Sequence, residues 1–528
     1  DKALNISDVA TPHRYRLVDC LQLKNHNILH IDEFVEFPDV PFSVVSYVWR
    51  GNPADPASPS LTSFTVRGAE EADPITIDVL RHVCAASMRY GARHFWIDRL
   101  CIMQTSRDDK DWQIDQMYRI YEESAVCIVL PGGVQRLIRL DEETNWIQRG
   151  WTLQEAVAPP SVVVLFAWRL GPGNIANGYE QVSIAGAKGR IRNVVSGVSA
   201  MAPLVYLLNA CIIGHTSFSA LTDSCSTSTQ IDVKARLFGS LSSGVVALAV
   251  AMTPSLHALD EEEDLLDSDT RNHAIWQSAL LRTSSRPVDM VFSIMGLFGV
   301  HLDTRAFHQD DRLGATIALA QAILRRGGRA TWLGASLRLP RSRALSTFPD
   351  FPKTSVAGKA RVQTEAGLVE AGTMVEGIYP GIHPLGDLRM PTGSMDDSGS
   401  LTFTRNAIRL TPVSQEDYRR NPGVAPMAWG ENAEKSPVVA MNGSIWDTVE
   451  DDEGATTSEG SLAYAVLVGW YSEYYPGGLT LALDSFQVKA MLVLEHAPGK
   501  YHVASFFEFS YKLRVWARGW KPREFCVG

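Results

Sequence analysis

The sequence predicts an α/β protein: a domain built on a parallel sheet, then a helical region, then a β-rich C-terminal domain. Three observations carry this. Strand-like and helix-like segments alternate through the first 170 residues, and each strand-like run is almost wholly apolar, as strands covered on both faces must be. Between about 190 and 335 apolar positions recur at helical spacing, and beyond 355 the period shortens to two, with turn residues between runs. The divisions read as an extension over 1–40, the parallel-sheet domain over 41–185, the helical region over 186–345 and the β-rich domain over 355–528. A chain of 528 residues, at ~150 per domain, holds about three units.

The elements follow in order. Phe42–Trp49 is a Val- and aromatic-rich run and reads as the first buried strand. A loop with four prolines spans Asn52–Pro74. Ile75–Gly91 carries one apolar helical face and ends at a glycine, as a helix C-terminus does. His94–Cys101 is the second strand. Asp108–Ala125 opens with acids and then sets Ile114, Met117, Tyr118, Tyr121 and Ala125 along one face of an amphipathic helix. Val126–Leu130 is the third strand, stopped by Pro131-Gly132-Gly133; Trp146–Val157 is a short helix, and Ser161–Trp168 the fourth strand. Helices are expected over Ser196–Gly214, Val233–Met252, Glu261–Leu281, Arg286–Val300 and Arg312–Gly327, with acidic Asp260–Asp269 as a solvated helix start or loop. In the last part, strands are expected over Ala360–Val369, Ser400–Leu410, Leu462–Tyr471, Leu479–Phe486, Val488–Glu495, Tyr501–Phe509 and Lys512–Trp516. Ala497-Pro498-Gly499-Lys500 reads as a hairpin turn, and acidic Asp447–Gly460 as a mobile loop.

Composition narrows the function. At 45% hydrophobic and 20% charged residues the chain is not intrinsically disordered. Its net charge of −10 argues against general nucleic-acid binding, which works by neutralising phosphates, but leaves a local anion pocket open. The seven cysteines (Cys20, Cys84, Cys101, Cys127, Cys211, Cys225 and Cys526) form no CxxC and no dense framework. They read as small hydrophobes in a reducing, cytoplasmic compartment. Sequons at Asn5 and Asn442 stand without other signs of secretion. Asp rather than Met at position 1 points to a start further upstream. The longest apolar stretches, Met201–Gly214 and Gly244–Met252, fall short of the ~20 residues that span a bilayer.

Common catalytic fingerprints are absent: the sequence holds no GxxxxGK[ST], HExxH or GxSxG. His26 and His30 have the spacing of helical metal ligands, but their surroundings alternate like a strand and no further ligands are nearby, so no metal is expected. Gly171–Ala176 formally fits GxGxxA, but Pro172 stiffens it and no helix follows; it reads as a plain loop.

Four ordered blocks are more specific: Ser46-Tyr47-Val48-Trp49, Phe95–Gln104 (FWIDRLCIMQ), Asp111–Tyr121 (DWQIDQMYRIY) and Arg149–Glu155 (RGWTLQE). Together they closely resemble the fungal heterokaryon-incompatibility (HET) domain, over about residues 40–170. Arg282–Val300 is similar to a helical piece that follows this domain in many relatives. Two positions depart from the pattern: Arg50 stands where a Gly is usual, with Gly51 directly after it, and Arg99 where a small residue is typical. HET domains in turn distantly resemble Toll/interleukin-receptor (TIR) domains. Val45-Ser46-Tyr47 sits like their first strand, Asp98 like the acid after their second, and Trp151–Glu155 has the W-x-x-x-E spacing of their catalytic element.

The resemblance implies a flavodoxin/TIR-like layout and a role in fungal self/non-self recognition or regulated cell death. It implies hydrolysis of NAD to nicotinamide and ADP-ribose, with NAD as substrate rather than resident cofactor, and a homo-oligomer that completes the site. Glu155 would be the essential carboxylate. Ser46, Tyr47, Trp49, Arg50, Asp98, Arg99, Arg149 and Trp151 would line the substrate site. The chemistry suits these residues: nicotinamide leaves through an oxocarbenium-like transition state, which a carboxylate near the ribose stabilises. Sites in doubly wound sheets lie beyond the C-terminal strand ends, where Trp49, Asp98 and Pro131-Gly132 fall, and arginines there can meet a pyrophosphate.

Each residue also has a purely structural use. Trp151, Tyr47 and Trp49 suit core packing, Asp98 a loop cap or a pair with a neighbouring Arg, and Arg99 and Arg149 salt bridges or a solvated surface; Cys101 is expected to be buried. Arg282, Arg286 and Asp289 are expected to form an ion-pair set joining the helical region to the sheet. Two other functional classes therefore remain: a non-catalytic signalling module whose C-terminal domain senses a protein partner, and a small-molecule metabolic enzyme on a recruited fold, with Arg50 and Arg99 marking a changed ligand.

Overall fold

The computed structural model describes residues 3–54, 62–176, 189–221, 230–239, 243–252, 261–335, 338–374, 389–420, 437–449, 462–471 and 487–528. The expected strand Leu479–Phe486, Cys225 and most of the expected loop Asp447–Gly460 lie outside these residues. No helix among the described residues is long and apolar enough to cross a membrane.

The architecture is mixed α/β, organised by two large sheets. The first has eleven strands: β1 (Tyr15–Asp19), β2 (Ile31–Phe34), β3 (Phe42–Tyr47), β4 (His94–Trp96), β5 (Val126–Leu130), β6 (Val162–Ala167), β7 (Gly173–Ala176), β8 (Gly189–Val195), β9 (Ser199–Pro203), β10 (His215–Ala220) and β11 (Gln230–Lys234). Their spatial order is β11-β10-β7-β8-β9-β6-β5-β3-β4-β1-β2. The middle is parallel: β3 pairs with β4 on one side and β5 on the other, and β5 pairs with β6. These start the four apolar runs read as strands, but the second run stops at Trp96, and Asp98–Cys101, expected as part of that strand, is a short helical turn. β3 and β5 are buried at every position, because helices cover both of their faces. Crossover helices α1 (Ile77–Met88) and α2 (Arg107–Glu122) fall where the apolar periodicity puts them. Ser106 caps α2 by accepting the Asp109 N–H.

Around this parallel middle the strands are antiparallel, and here the sequence reading needs correction. Residues 186–235, expected to be helical, contribute four strands, β8 to β11. The apolar run Met201–Gly214 is divided: β9 pairs antiparallel with β6, and only Leu204–Ile213 (α4) is helical. β8 alternates buried and exposed residues, a strand signal that the neighbouring apolar stretch obscured. Gly173–Ala176, read as a loop, is strand β7. Within the expected proline-rich loop, Ser63–Val66 pairs with Ala3–Leu4 and Ile75–Thr76 in a small sheet.

Helices α5 (Ser243–Met252), α6 (Glu261–Leu280), α7 (Asp289–Met295) and α8 (Arg312–Arg325) follow. The acidic start of α6 is not wholly solvated: Asp269 is buried and accepts the Met390 N–H at 3.1 Å, with Arg329 Nε 3.8 Å away.

The second sheet has eight strands and makes the C-terminal region β-rich. Leu401–Val413, Ala463–Tyr471, Gln487–Ala497, Lys500–Ser510 and Lys521–Val527 pair in sequence, and the last returns to pair with the first. The closure is short on one side: Lys500–Ser510 meets Lys521–Val527 only through Lys500 with Cys526 and Tyr501 with Val527. Ala497 and Lys500 face each other across the expected hairpin turn. Ala463–Tyr471 is buried throughout, with Val466 and Val468 in one apolar cluster and Ala465 and Leu467 in another. Lys512–Trp516, expected as a strand, is a 3-10 turn running into a short helix over Arg514–Arg518. The main apolar core runs continuously from the first sheet through the helices to one face of the second.

Candidate functional site

At the C-terminal end of β3 the alternation of a strand sends Ser46 and Tyr47 to opposite faces, and each nucleates one half of the candidate site. On one side Ser46 Oγ donates to Glu155 Oε2 at 2.5 Å and accepts from the indole Nε1 of Trp146 at 2.8 Å. Because the indole can only donate, the Ser46 proton is committed to Glu155. Glu155 lies on the short helix α3 (Thr152–Val157), all of whose residues are buried. Its backbone N–H reaches the Trp151 carbonyl at 3.3 Å, which puts the two residues one turn apart.

On the other side Tyr47 donates its hydroxyl proton to Asp98, which also accepts Trp49 Nε1 at 2.6 Å and the Arg99 backbone N–H at 2.6 Å. Arg99, 1% exposed, donates from Nε to the Tyr47 hydroxyl at 2.8 Å and from Nη1 to the Asp73 carbonyl, while its Nη2 is buried without a partner.

Burial dominates the electrostatics. Glu155 is pushed up to about 8, chiefly by desolvation, with the Asp98 charge adding to the rise; the Ser46 hydrogen bond, Arg282 and Arg149 oppose it. Burial also raises Asp289 and Tyr47, lowers Arg149, and brings Arg282 down to about 9.

The structure gathers most of the residues singled out by sequence: Ser46 with Glu155, and Tyr47, Trp49, Asp98 and Arg99 in one hydrogen-bonded cluster. Three are used differently. Arg50 is exposed and pairs with Glu71 at 3.1 Å. Arg149 donates to the Val356 carbonyl at 2.6 Å. Trp151 is half-buried and its side chain hydrogen-bonds to Asp289. The expected ion-pair set is also corrected. Among the described residues no ion pair joins Arg282 or Arg286 to Asp289; Arg282 instead donates to Thr152 Oγ1 at 2.7 Å and to the Arg149 carbonyl at 3.0 Å. Cys101 is buried, and burial lifts its thiol to about 12, which removes it as a reactive group.

The sequence reading missed Trp146 and Asp73. Trp146 lay inside the expected helix block, where its indole could have been asked for a partner. Asp73 gave no signal: its carboxylate accepts the Gly51 N–H at 2.7 Å. Gly51 answers the displaced glycine of the first block, since a Cβ there would stand 1.9 Å from the Gly132 carbonyl oxygen.

Two cavities lie elsewhere. One of about 930 Å³ is lined by Arg341, Arg343, Asp350 and Gln363, and one of about 400 Å³ by Leu23, Phe64, Ile77 and Arg81. Neither includes Glu155, Tyr47 or Asp98, and Glu155 is only 9% exposed. One metal-compatible group occurs among the described residues: Asp19, Asp32 and His94 bring a ligand atom each to within 4.8 Å. Asp19 Oδ1 already caps Leu21 and Gln22, and Asp32 is hydrogen-bonded to His30 and His94.

These features define a class: an α/β domain with a buried carboxylate beyond the C-terminal ends of a parallel sheet. Residues 42–136 match the family model described as heterokaryon incompatibility protein (HET), and this part of the chain is a HET domain. The chain is also similar to the vegetative incompatibility protein HET-E-1 of Podospora anserina, 25% identical over 132 residues. That stretch is 23% of this chain and 9% of the relative, so the likeness spans less than a tenth of the relative's length. No solved structure matches the chain.

Proposed function

We propose that this HET-domain protein acts in fungal self/non-self recognition or regulated cell death by hydrolysing NAD to nicotinamide and ADP-ribose, with Glu155 as the essential carboxylate. One observation carries the reading. Glu155 is a buried acid in a W-x-x-x-E element, held by the Ser46 hydroxyl at the strand end where ligands of doubly wound sheets bind. The parallel middle supports a flavodoxin/TIR-like layout, because its four strands in chain order occupy the spatial order 2-1-3-4.

In this mechanism the ionised Glu155 sits beside the ribose and stabilises positive charge as the ribose–nicotinamide bond breaks; nicotinamide leaves with the bonding pair, and a water molecule adds at the same carbon and gives up its proton to solvent. Ser46 holds the carboxyl in one orientation, Tyr47 and Trp49 wall the substrate from bulk solvent while leaving room for the attacking water, and Arg99 Nη2 meets a phosphate oxygen. A homo-oligomer would supply the opening that admits the dinucleotide.

Incubation with NAD and an assay for nicotinamide test the proposal. Turnover by the wild type, lost by on the order of 10²–10³-fold in Glu155→Gln with the fold intact, supports it. The burial of Glu155, away from both cavities, favours a second reading: a non-catalytic HET signalling module whose C-terminal β-rich region docks a protein partner. Absence of nicotinamide release in every oligomeric state would select that reading.

A further inference from the structure

The turn that carries Glu155 is held from outside the matched HET segment. Thr283 accepts the Gly150 N–H at 2.8 Å and gives its own N–H to Gln148 at 2.7 Å. Arg282, beside it and 2% exposed, donates from Nη1 to Thr152 Oγ1 and to the Arg149 carbonyl, and from Nε to Ser278 Oγ at 3.2 Å. The one proton of the Thr152 hydroxyl faces two carbonyls, Arg149 at 2.8 Å and Trp146 at 2.9 Å. Trp146 donates to Ser46, and Ser46 to Glu155. Two sets of hydrogen bonds, joined through the backbone and side chain of Trp146, therefore link Arg282 to the carboxyl. Arg282 Nη2 is buried with no partner, and no carboxylate lies within ion-pair distance of this guanidinium among the described residues. A buried guanidinium left in that state is costly, and an anion arriving beside it relieves the cost.

We infer that Arg282 is a positioning residue for Glu155: it fixes the turn bearing the carboxyl and supplies the buried positive charge against which that carboxyl ionises. The inference rests on Glu155 being the acid of the proposed reaction. Other charged groups act on the same carboxyl. Asp98 opposes its ionisation and Arg149 favours it, while Tyr121 and Cys127, both buried, feel its charge in their neutral forms. From the packed helices, α5 brings no titratable side chain. α6 brings Arg271, which donates to the Val157 carbonyl at 3.4 Å, and the buried His273. α7 brings Asp289, which faces Trp151 and Arg149. Arg282 is distinctive in this set, since Glu155 is the one acid whose charge acts appreciably on it.

The test is the titration of the Glu155 carboxyl by difference infrared spectroscopy, with the Glu155→Gln spectrum subtracted to isolate its band. Arg282→Gln is expected to raise the midpoint by about one to two pH units, and Arg282→Lys to bring it back toward the wild-type value. If Arg282→Gln does not fold, Arg282→Met, which removes the charge together with its desolvation demand, carries the same expectation. A midpoint that stays put in a folded Gln or Met variant overturns the inference and leaves Arg282 a structural clamp. The band is read without substrate. A shifted midpoint in a protein that never releases nicotinamide therefore upholds the Arg282–Glu155 coupling while removing the NAD reading.

Discussion

Glu155 is a buried acid that takes its hydrogen bond from Ser46. An ordinary glutamate titrates near 4.5 and the buried Glu155 near 8. Between those values the folded protein holds a proton that the unfolded chain has lost. This contribution to stability is fully present below pH 4.5 and fades as pH rises through about 8. Glu155→Gln is therefore expected to flatten the fall in thermal stability between pH 6 and pH 9, read by melting curves at both values. The same ionisation predicts that nicotinamide release rises with pH through about 8 and then levels. Ser46→Ala removes the one hydrogen bond that favours the charged form and strands the Trp146 indole N–H. We expect a loss of about 1–3 kcal/mol in stability and an upward move of the pH–rate midpoint; an unmoved midpoint would mean that Ser46 does not orient the acid. Much of this was legible in residue order, because Ser46, Asp98 and Glu155 each fall within a specific block. The partnership of Ser46 with Trp146 was not, since nothing in a strand residue and a Trp one hundred positions on announces that one hydroxyl links an indole to a carboxyl.

At the scale of elements, the strand-end loop depends on close backbone approach. Asn52 donates its N–H to the Gly132 carbonyl at 2.8 Å, and Gly51 packs against the same peptide. Gly51→Ala must push these backbones apart, with an expected loss of about 1–3 kcal/mol and loosening of Trp49 from Asp98, visible as a change in tryptophan fluorescence. A variant with wild-type stability and spectrum would contradict the close packing. The parallel strands were readable because burial on both faces leaves an unbroken apolar run. The strands after β6 were not. β9 and α4 share one apolar stretch, and only the pairing of Ser199–Pro203 with β6 decides where strand gives way to helix. Lys521–Val527 escaped notice for the opposite reason: Lys521, Pro522, Arg523 and Glu524 disguise a strand whose partner, Leu401–Ala407, lies over a hundred residues away.

For the molecule as a whole, the HET match ends at residue 136 but the structure around it does not. β6 has β5 on one side and β9 on the other, and residues 282–283 clamp the turn before Glu155. A fragment ending at residue 185 keeps every block of the resemblance yet loses β9, the Arg282 clamp and the Val356 carbonyl that receives Arg149. It is expected to expose the edge of β6 and to aggregate, whereas the full chain stays in solution; sedimentation and limited proteolysis compare the two. A well-folded 1–185 fragment would show that the later residues are dispensable for the fold. The central claim, that this site cleaves NAD through Glu155, is tested most directly by nicotinamide release from NAD at pH 8.5, wild type against Glu155→Gln at matched concentration. The account predicts turnover in the wild type and a loss of at least about 100-fold in the variant. Equal release by both proteins would contradict it.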